Sequence, residues 1–162
     1  MSLRMALAVG VFGLGGCGVL GGVALTPGTY SGELACRATV VDATGVEASE
    51  DYTSATTLVV DDEGGLTVND EPVEVGELVT RSLPNADLAF EVLNLSQRWR
   101  QVVVTYEPRP TLPGIAVTGE LVEDFSRDVG GVRVVGHTEL VVTDVSGDNR
   151  FEIECSGVLG RE

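Results

Sequence analysis

The chain has 162 residues, of which 43% are hydrophobic and 22% charged, so it can bury the core of one domain and is too apolar for a disordered chain. Ten basic residues, all of them arginine, stand against 25 acidic ones, and the formal net charge is −15. This charge argues against nucleic acid as a partner, because phosphates require a basic surface.

The first element in chain order is a secretory signal peptide, expected over residues 1–16. Arg4 supplies one positive charge, an uncharged stretch follows from Met5 to Gly16, and small residues lead up to Cys17. Two other interpretations fit the same residues. The uncharged run from Met5 to Thr29 is long enough for an uncleaved membrane anchor, and Cys17 is also compatible with plain secretion.

The segment Leu14-Gly15-Gly16-Cys17 resembles the lipobox of bacterial lipoproteins, although Gly15 stands where alanine, serine or threonine is commoner. The resemblance implies that Cys17 becomes the lipidated N-terminus and that residues 17–28 form a flexible tether. Lipidation would anchor the protein to a membrane that it does not span. Gly18 is not the aspartate that commonly retains such proteins at the inner membrane, so the resemblance implies an outer-membrane location, on the periplasmic or the surface face.

The other two cysteines, Cys36 and Cys155, form an even pair in a chain expected to occupy an oxidising compartment. A disulfide between them is therefore predicted, with two free buried thiols as the alternative. A metal site is disfavoured, because the sequence has no CxxC motif and no paired histidines.

Residues 29–162 are expected to form one β-domain, because apolar and polar residues alternate with a period of two. The alternation is clear in the first strand, Thr29 to Val41, and in the last, Arg150 to Leu159, and both cysteines fall on the apolar faces. Turn residues separate seven further expected strands, at 52–61, 66–69, 73–80, 87–95, 101–107, 115–124 and 132–143.

Short strands, hairpin turns and the lack of helical periodicity predict an all-β fold. We expect an antiparallel up-and-down barrel of about eight or nine strands, with a β-sandwich as the alternative. In a barrel with adjacent terminal strands, the disulfide would staple the closing seam. Residues 107–114 contain three prolines and are expected to form an exposed loop.

The opening Gly28-Thr29-Tyr30 and the disulfide expected between the terminal strands resemble small lipocalin-like barrels. This resemblance implies a fold and does not identify a ligand.

No residue is assigned a catalytic, cofactor-binding or metal-binding role. Alternation places His137 on the outer, solvated face of its strand, and no Gly-x-Ser-x-Gly elbow accompanies it. The acidic clusters at 123–124 and 61–63 contain the groups for acid–base chemistry or calcium binding, but 25 acidic residues in a chain of this length produce such clusters by chance, and solvated turns are favoured for them. Trp99, between two arginines, marks either a contact site or a residue of the core or barrel mouth.

These observations favour a non-catalytic, monomeric envelope lipoprotein without a cofactor, whose barrel binds a small apolar ligand or only packs its own interior. A cavity could arise from small inward residues at Gly32, Ala38, Gly119, Gly136 and Thr138. The alternative is an acidic binder or inhibitor of cationic proteins, similar to the periplasmic inhibitors of lysozyme, although Tyr30-Ser31-Gly32 does not follow their usual residue order. A small hydrolase is the least favoured of these hypotheses.

Overall fold

The computed structural model describes residues 24–83, 86–98, 100–110 and 112–162. The signal peptide expected at 1–16, the lipidation site Cys17 and Trp99 lie outside these residues. The described chain forms ten β-strands, which are β1 (Gly28–Val41), β2 (Glu47–Val60), β3 (Leu66–Val68), β4 (Glu71–Val73), β5 (Leu78–Leu83), β6 (Ala86–Arg98), β7 (Gln101–Arg109), β8 (Ala116–Asp128), β9 (Gly131–Asp144) and β10 (Gly147–Arg161). Within the described ranges, no helix is long and apolar enough to cross a bilayer.

The ten strands form one antiparallel sheet in the order β4-β3-β2-β1-β10-β9-β8-β7-β6-β5. Chain neighbours pair with one another, and the first and last strands close the meander by pairing from Tyr30 with Arg161 to Val41 with Arg150. The sheet curls nearly into a barrel. The predicted all-β, up-and-down architecture is therefore confirmed, with ten strands in the described residues instead of the expected eight or nine.

The core lies inside the curled sheet and consists of the inward residues of the alternating strands. Its largest fully buried side chains are Tyr106, Phe90, Phe125, Leu58, Leu140 and Leu159. The segment before β1 also contributes, because Leu25 is buried and the Tyr30 hydroxyl donates a hydrogen bond of 2.6 Å to the carbonyl of Thr26. The last residues of the segment expected as a tether thus pack against the barrel.

The strand predicted at 73–80 is in fact divided between β4 and β5. Gly76 has a φ of +85°, a left-handed conformation that glycine tolerates and that interrupts an extended strand. The turn is fixed to β6, because the Gly76 amide donates to the Val92 carbonyl and the Val92 amide donates to the Glu77 carbonyl.

The exposed loop predicted at 107–114 is shorter than expected, because β7 continues to Arg109. Pro108 pairs with Phe90 of β6, whereas the pairing of β7 with β8 ends at Tyr106. Proline is tolerated where a strand has a partner on only one side, since no second ladder then requires its missing amide hydrogen.

The sheet is not sealed between β2 and β5. The pairing of β2 with β3 covers Leu58–Val60, and hydrogen bonds between Thr57 and Asn69 extend it by one residue, so the described residues of β2 before Thr57 pair with β1 alone. The described part of β5 pairs with β6 alone. These two strand edges leave an opening in the wall of the barrel.

The predicted disulfide is confirmed between Cys36 of β1 and Cys155 of β10, which are direct partners across the two strands. It staples the seam between the terminal strands, as expected for a barrel in which these strands are adjacent. The opening between β2 and β5 lies elsewhere in the sheet.

Candidate functional site in the barrel interior

A cavity of about 340 Å³ lies inside the barrel. Its apolar wall contains Leu34, Leu83, Leu121, Phe125, Val134 and Ile153. Its polar wall includes Glu71, Arg81 and Glu123, together with Ser54 of β2 and Ser82 of β5. Both strands that border the opening therefore contribute to the cavity, which places the opening beside it.

Space for the cavity arises at Gly136 of β9. The sheet register sets Cys155 and Glu123 on either side of Gly136, on the same cross-strand row as the disulfide. A Cβ atom at this glycine would lie 3.7 Å from the Cys155 Cβ and 4.0 Å from the nearest backbone oxygens, which are ordinary contacts. The backbone therefore does not require glycine here, and the missing side chain leaves room inside.

Three polar side chains, those of Arg81, Tyr106 and Glu123, form a hydrogen-bonded triad in the barrel interior. The Arg81 guanidinium donates one hydrogen bond to the Tyr106 hydroxyl at 2.9 Å and another to Glu123 Oε2 at 3.2 Å. The Tyr106 hydroxyl in turn donates to Glu123 Oε2 at 3.0 Å. The Arg81 and Glu123 side chains are only 12% and 18% exposed, so this is a largely buried ion pair.

The electrostatics of this triad keep Arg81 charged and Tyr106 neutral. Burial lowers the pKa of the Arg81 guanidinium, but the charge of Glu123, the Tyr106 hydroxyl and the charge of Glu71 outweigh it, and the pKa stands above its usual value. Burial, followed by the negative charge of Glu123, raises the pKa of the Tyr106 phenol well above its usual value. Tyr106 therefore acts as a hydrogen-bond donor and acceptor and not as an acid near neutral pH.

Two buried polar atoms at this site, Arg81 Nε within the triad and Glu71 Oε2 beside it, have no hydrogen-bond partner among the described residues. Both residues line the cavity, and the charge of Glu71 acts on Arg81. A buried polar group without a partner costs about 1–3 kcal/mol, so such groups are rare in proteins and mark places where a further group can bind.

The paired carboxylates that the sequence suggested are not brought together. Glu123 points into the cavity, whereas the adjacent Asp124 lies on the opposite face of β8. In the cluster at 61–63, Asp61 accepts hydrogen bonds from the amides of Glu63 and Gly65, so it shapes its own turn.

His137 lies on the outer face of β9, because the residues on either side of it, Gly136 and Thr138, line the cavity. His137 is half-buried, and one of its ring nitrogens lies within 4.8 Å of a carboxylate oxygen of Glu152 and of one of Glu154 on β10. Both carboxylates are exposed. This arrangement lies on the opposite side of the sheet from the cavity.

Sequence reasoning missed Arg81, Tyr106 and Glu71 as site residues, although a signal for the triad was present. Arg81 lies between Val79 and Leu83 on the apolar side of its alternating strand, and Glu123 occupies the same kind of position between Leu121 and Phe125. A charged residue on the buried side of an alternating strand requires a counter-charge, and Arg81 and Glu123 supply one to each other.

The raised pKa of Tyr106 has a consequence at alkaline pH. Above about pH 10 an unfolded tyrosine loses its proton while the buried Tyr106 keeps it, so the free energy of unfolding falls as pH rises. Tyr106→Phe is expected to lower the free energy of unfolding by about 1 kcal/mol near neutral pH. Above pH ~10 the variant should lose less stability than the unaltered protein, so their free energies of unfolding converge as pH rises. Urea unfolding at a series of pH values measures this, and parallel curves would contradict it.

Comparison with known protein families, with curated proteins and with solved structures finds no match for this chain. The class of the molecule therefore rests on its own geometry, which is that of a small antiparallel barrel with an internal cavity and a buried ion pair.

Proposed function

We propose that this protein is a non-catalytic, lipid-anchored protein of the cell envelope whose monomeric barrel binds a small, mostly apolar molecule. The observation that carries the proposal is the cavity, where an apolar wall faces a few convergent polar groups with unused hydrogen-bonding capacity. Small-molecule sites typically combine these features, and their volumes run from about 300 to 1,000 Å³.

The buried ion pair supports binding more than stability. Moving Arg81 and Glu123 out of water has a desolvation cost that their attraction only balances when the geometry is good and the remaining donors are satisfied. Here Arg81 Nε is not satisfied. A polar group retained in an apolar interior without full compensation is more consistent with ligand recognition than with packing.

The opening between β2 and β5 supports access to the cavity. Tyr52, Ser54 and Thr56 line the cavity from the β2 side, and Thr80 and Ser82 line it from the β5 side. Since neither edge is bonded to the other strand, a ligand can pass between them without breaking the described ladders.

Filling the cavity from Gly136 tests this function. Gly136→Leu projects a side chain inward from a position where its Cβ makes only ordinary contacts, so the fold is expected to persist. A neutral fluorescent probe, N-phenylnaphthylamine, is expected to bind the unaltered protein and to bind this variant at least about tenfold more weakly. The matched control is Val135→Leu, which adds a methylene to the exposed face of the same strand. Equal binding by Gly136→Leu would contradict an interior site.

The membrane anchor is proposed from the lipobox-like segment and from the disulfide, since disulfides form and persist mainly in oxidising compartments such as the envelope. The intact mass of protein extracted from membranes is expected to fit residues 17–162 with acyl chains on Cys17, and to gain a pair of hydrogen atoms on reduction. Retention of residues 1–16, or a mass without lipid, would contradict lipidation and leave an anchored or freely secreted protein.

A second candidate, an acidic binder of cationic proteins at the envelope, is favoured by the first half of β2. All five residues from Glu47 to Asp51 are exposed, three of them are acidic, and this stretch has an unpaired edge within the described sheet. A cationic extended segment could add to such an edge. Gly136→Leu leaves this surface intact, so partner binding that survives in the variant would identify this function instead of the interior site.

A further inference from the structure

We infer that the cavity selects a small neutral amphiphile whose head is a hydroxyl or an amide, and that it rejects anionic amphiphiles such as fatty acids. This inference rests on the proposed binding function and specifies the chemistry of its ligand. It follows from the charge, the free hydrogen-bonding atoms and the size of the cavity.

Among the described residues, the charged side chains of the cavity wall are one arginine and two glutamates, so this wall carries an excess of negative charge. Arg81 does not supply a free positive charge, because Glu123 already pairs with it at 3.2 Å and Glu71 also acts on it. A carboxylate ligand would therefore have to enter a site of like charge while losing its hydration, and both effects disfavour it.

The free atoms specify the head group more closely. Arg81 Nε offers a donor and Glu71 Oε2 offers an acceptor, each buried and without a partner. A hydroxyl or an amide both accepts and donates, so such a head suits either atom, whereas an ionised carboxylate can only accept and is repelled by Glu71. The unused donor and acceptor together match a neutral head.

The body of the ligand follows from the cavity wall and volume. Leu83, Leu121 and Phe125 are among the side chains that form the apolar wall. A volume of about 340 Å³ lies near the lower limit of small-molecule pockets, which suits one short alkyl chain better than a lipid with two acyl chains.

Displacement of bound N-phenylnaphthylamine by octanol and by octanoate tests the inference near neutral pH. These probes share a chain length and differ in the head. Octanol is expected to displace the probe, with octanoate at least about tenfold weaker. Glu71→Gln removes the excess negative charge with little change in shape. In this variant octanoate is therefore expected to displace the probe no more than about threefold more weakly than octanol does. Glu120→Gln, which changes an exposed carboxylate of β8, is the matched control and should leave the ratio unchanged.

The outcomes separate the inference from the function on which it rests. Octanoate displacing as well as octanol, no displacement by octanol, or an unchanged ratio in Glu71→Gln would each overturn the proposed ligand class while the interior site stands. Failure of the probe to bind the unaltered protein would instead overturn the proposed binding function.

Discussion

Replacing both Cys36 and Cys155 with alanine is expected to lower the free energy of unfolding by about 4–5 kcal/mol. The two cysteines are 119 residues apart, so their bond restricts nearly the whole unfolded domain, and the chain-entropy model assigns a loop of this length a stabilisation of that size. Small domains are stable by only about 5–15 kcal/mol, so the loss is a large part of the total.

The native barrel should nevertheless keep its shape in this variant. The ladder between β1 and β10 extends from Tyr30 with Arg161 to Val41 with Arg150, and it does not depend on the disulfide for its register. The bond therefore acts mainly on the unfolded state. Equilibrium urea unfolding should show the reduced protein matching the double variant, while the variant itself does not respond to reductant. An unchanged midpoint on reduction would contradict a stabilising disulfide.

Much of the fold could be predicted because the inside and outside of a barrel wall alternate with the side chains of each strand. The prediction failed where the sequence does not distinguish inward from outward side chains. Residues Glu47 to Asp51 of β2 are exposed throughout, so no apolar face revealed that the strand begins before Tyr52. Conversely, Val73, Val75 and Val79 keep a period of two across the turn at Gly76, and this continuity concealed the break between β4 and β5.

The site was less predictable than the strands, because its residues meet across the interior and not along a ladder. Arg81 on β5 and Glu123 on β8 are separated in the sheet by β6 and β7, and they come into contact only because the sheet curls. The positions of polar residues on buried faces could be identified from the sequence. Their partners, and the space left at Gly136, depend on the curvature of the completed barrel.

Glu123→Ala is expected to reduce the free energy of unfolding by about 3 kcal/mol or more, because it leaves Arg81 buried without its closest counter-charge. Arg81→Met should be similarly costly, since it leaves Glu123 in the same position. The control is Asp124→Ala, which removes a neighbouring carboxylate from the outer face of β8 and should change stability by about 0.5 kcal/mol or less. Urea unfolding measures all three, and equal effects of Glu123→Ala and Asp124→Ala would contradict a buried pair.

Replacing the whole triad separates stability from recognition. A variant with Arg81→Met, Tyr106→Phe and Glu123→Leu removes every polar end together, so it leaves no unpaired charge within the triad and should cost less stability than either single change. If the pair serves recognition, this variant should still bind the apolar probe but bind octanol at least about tenfold more weakly, because the donor at Arg81 Nε is gone, while the charge of Glu71 continues to disfavour octanoate. A variant that is less stable than both single changes and binds octanol as tightly as the unaltered protein would show that the triad serves the fold.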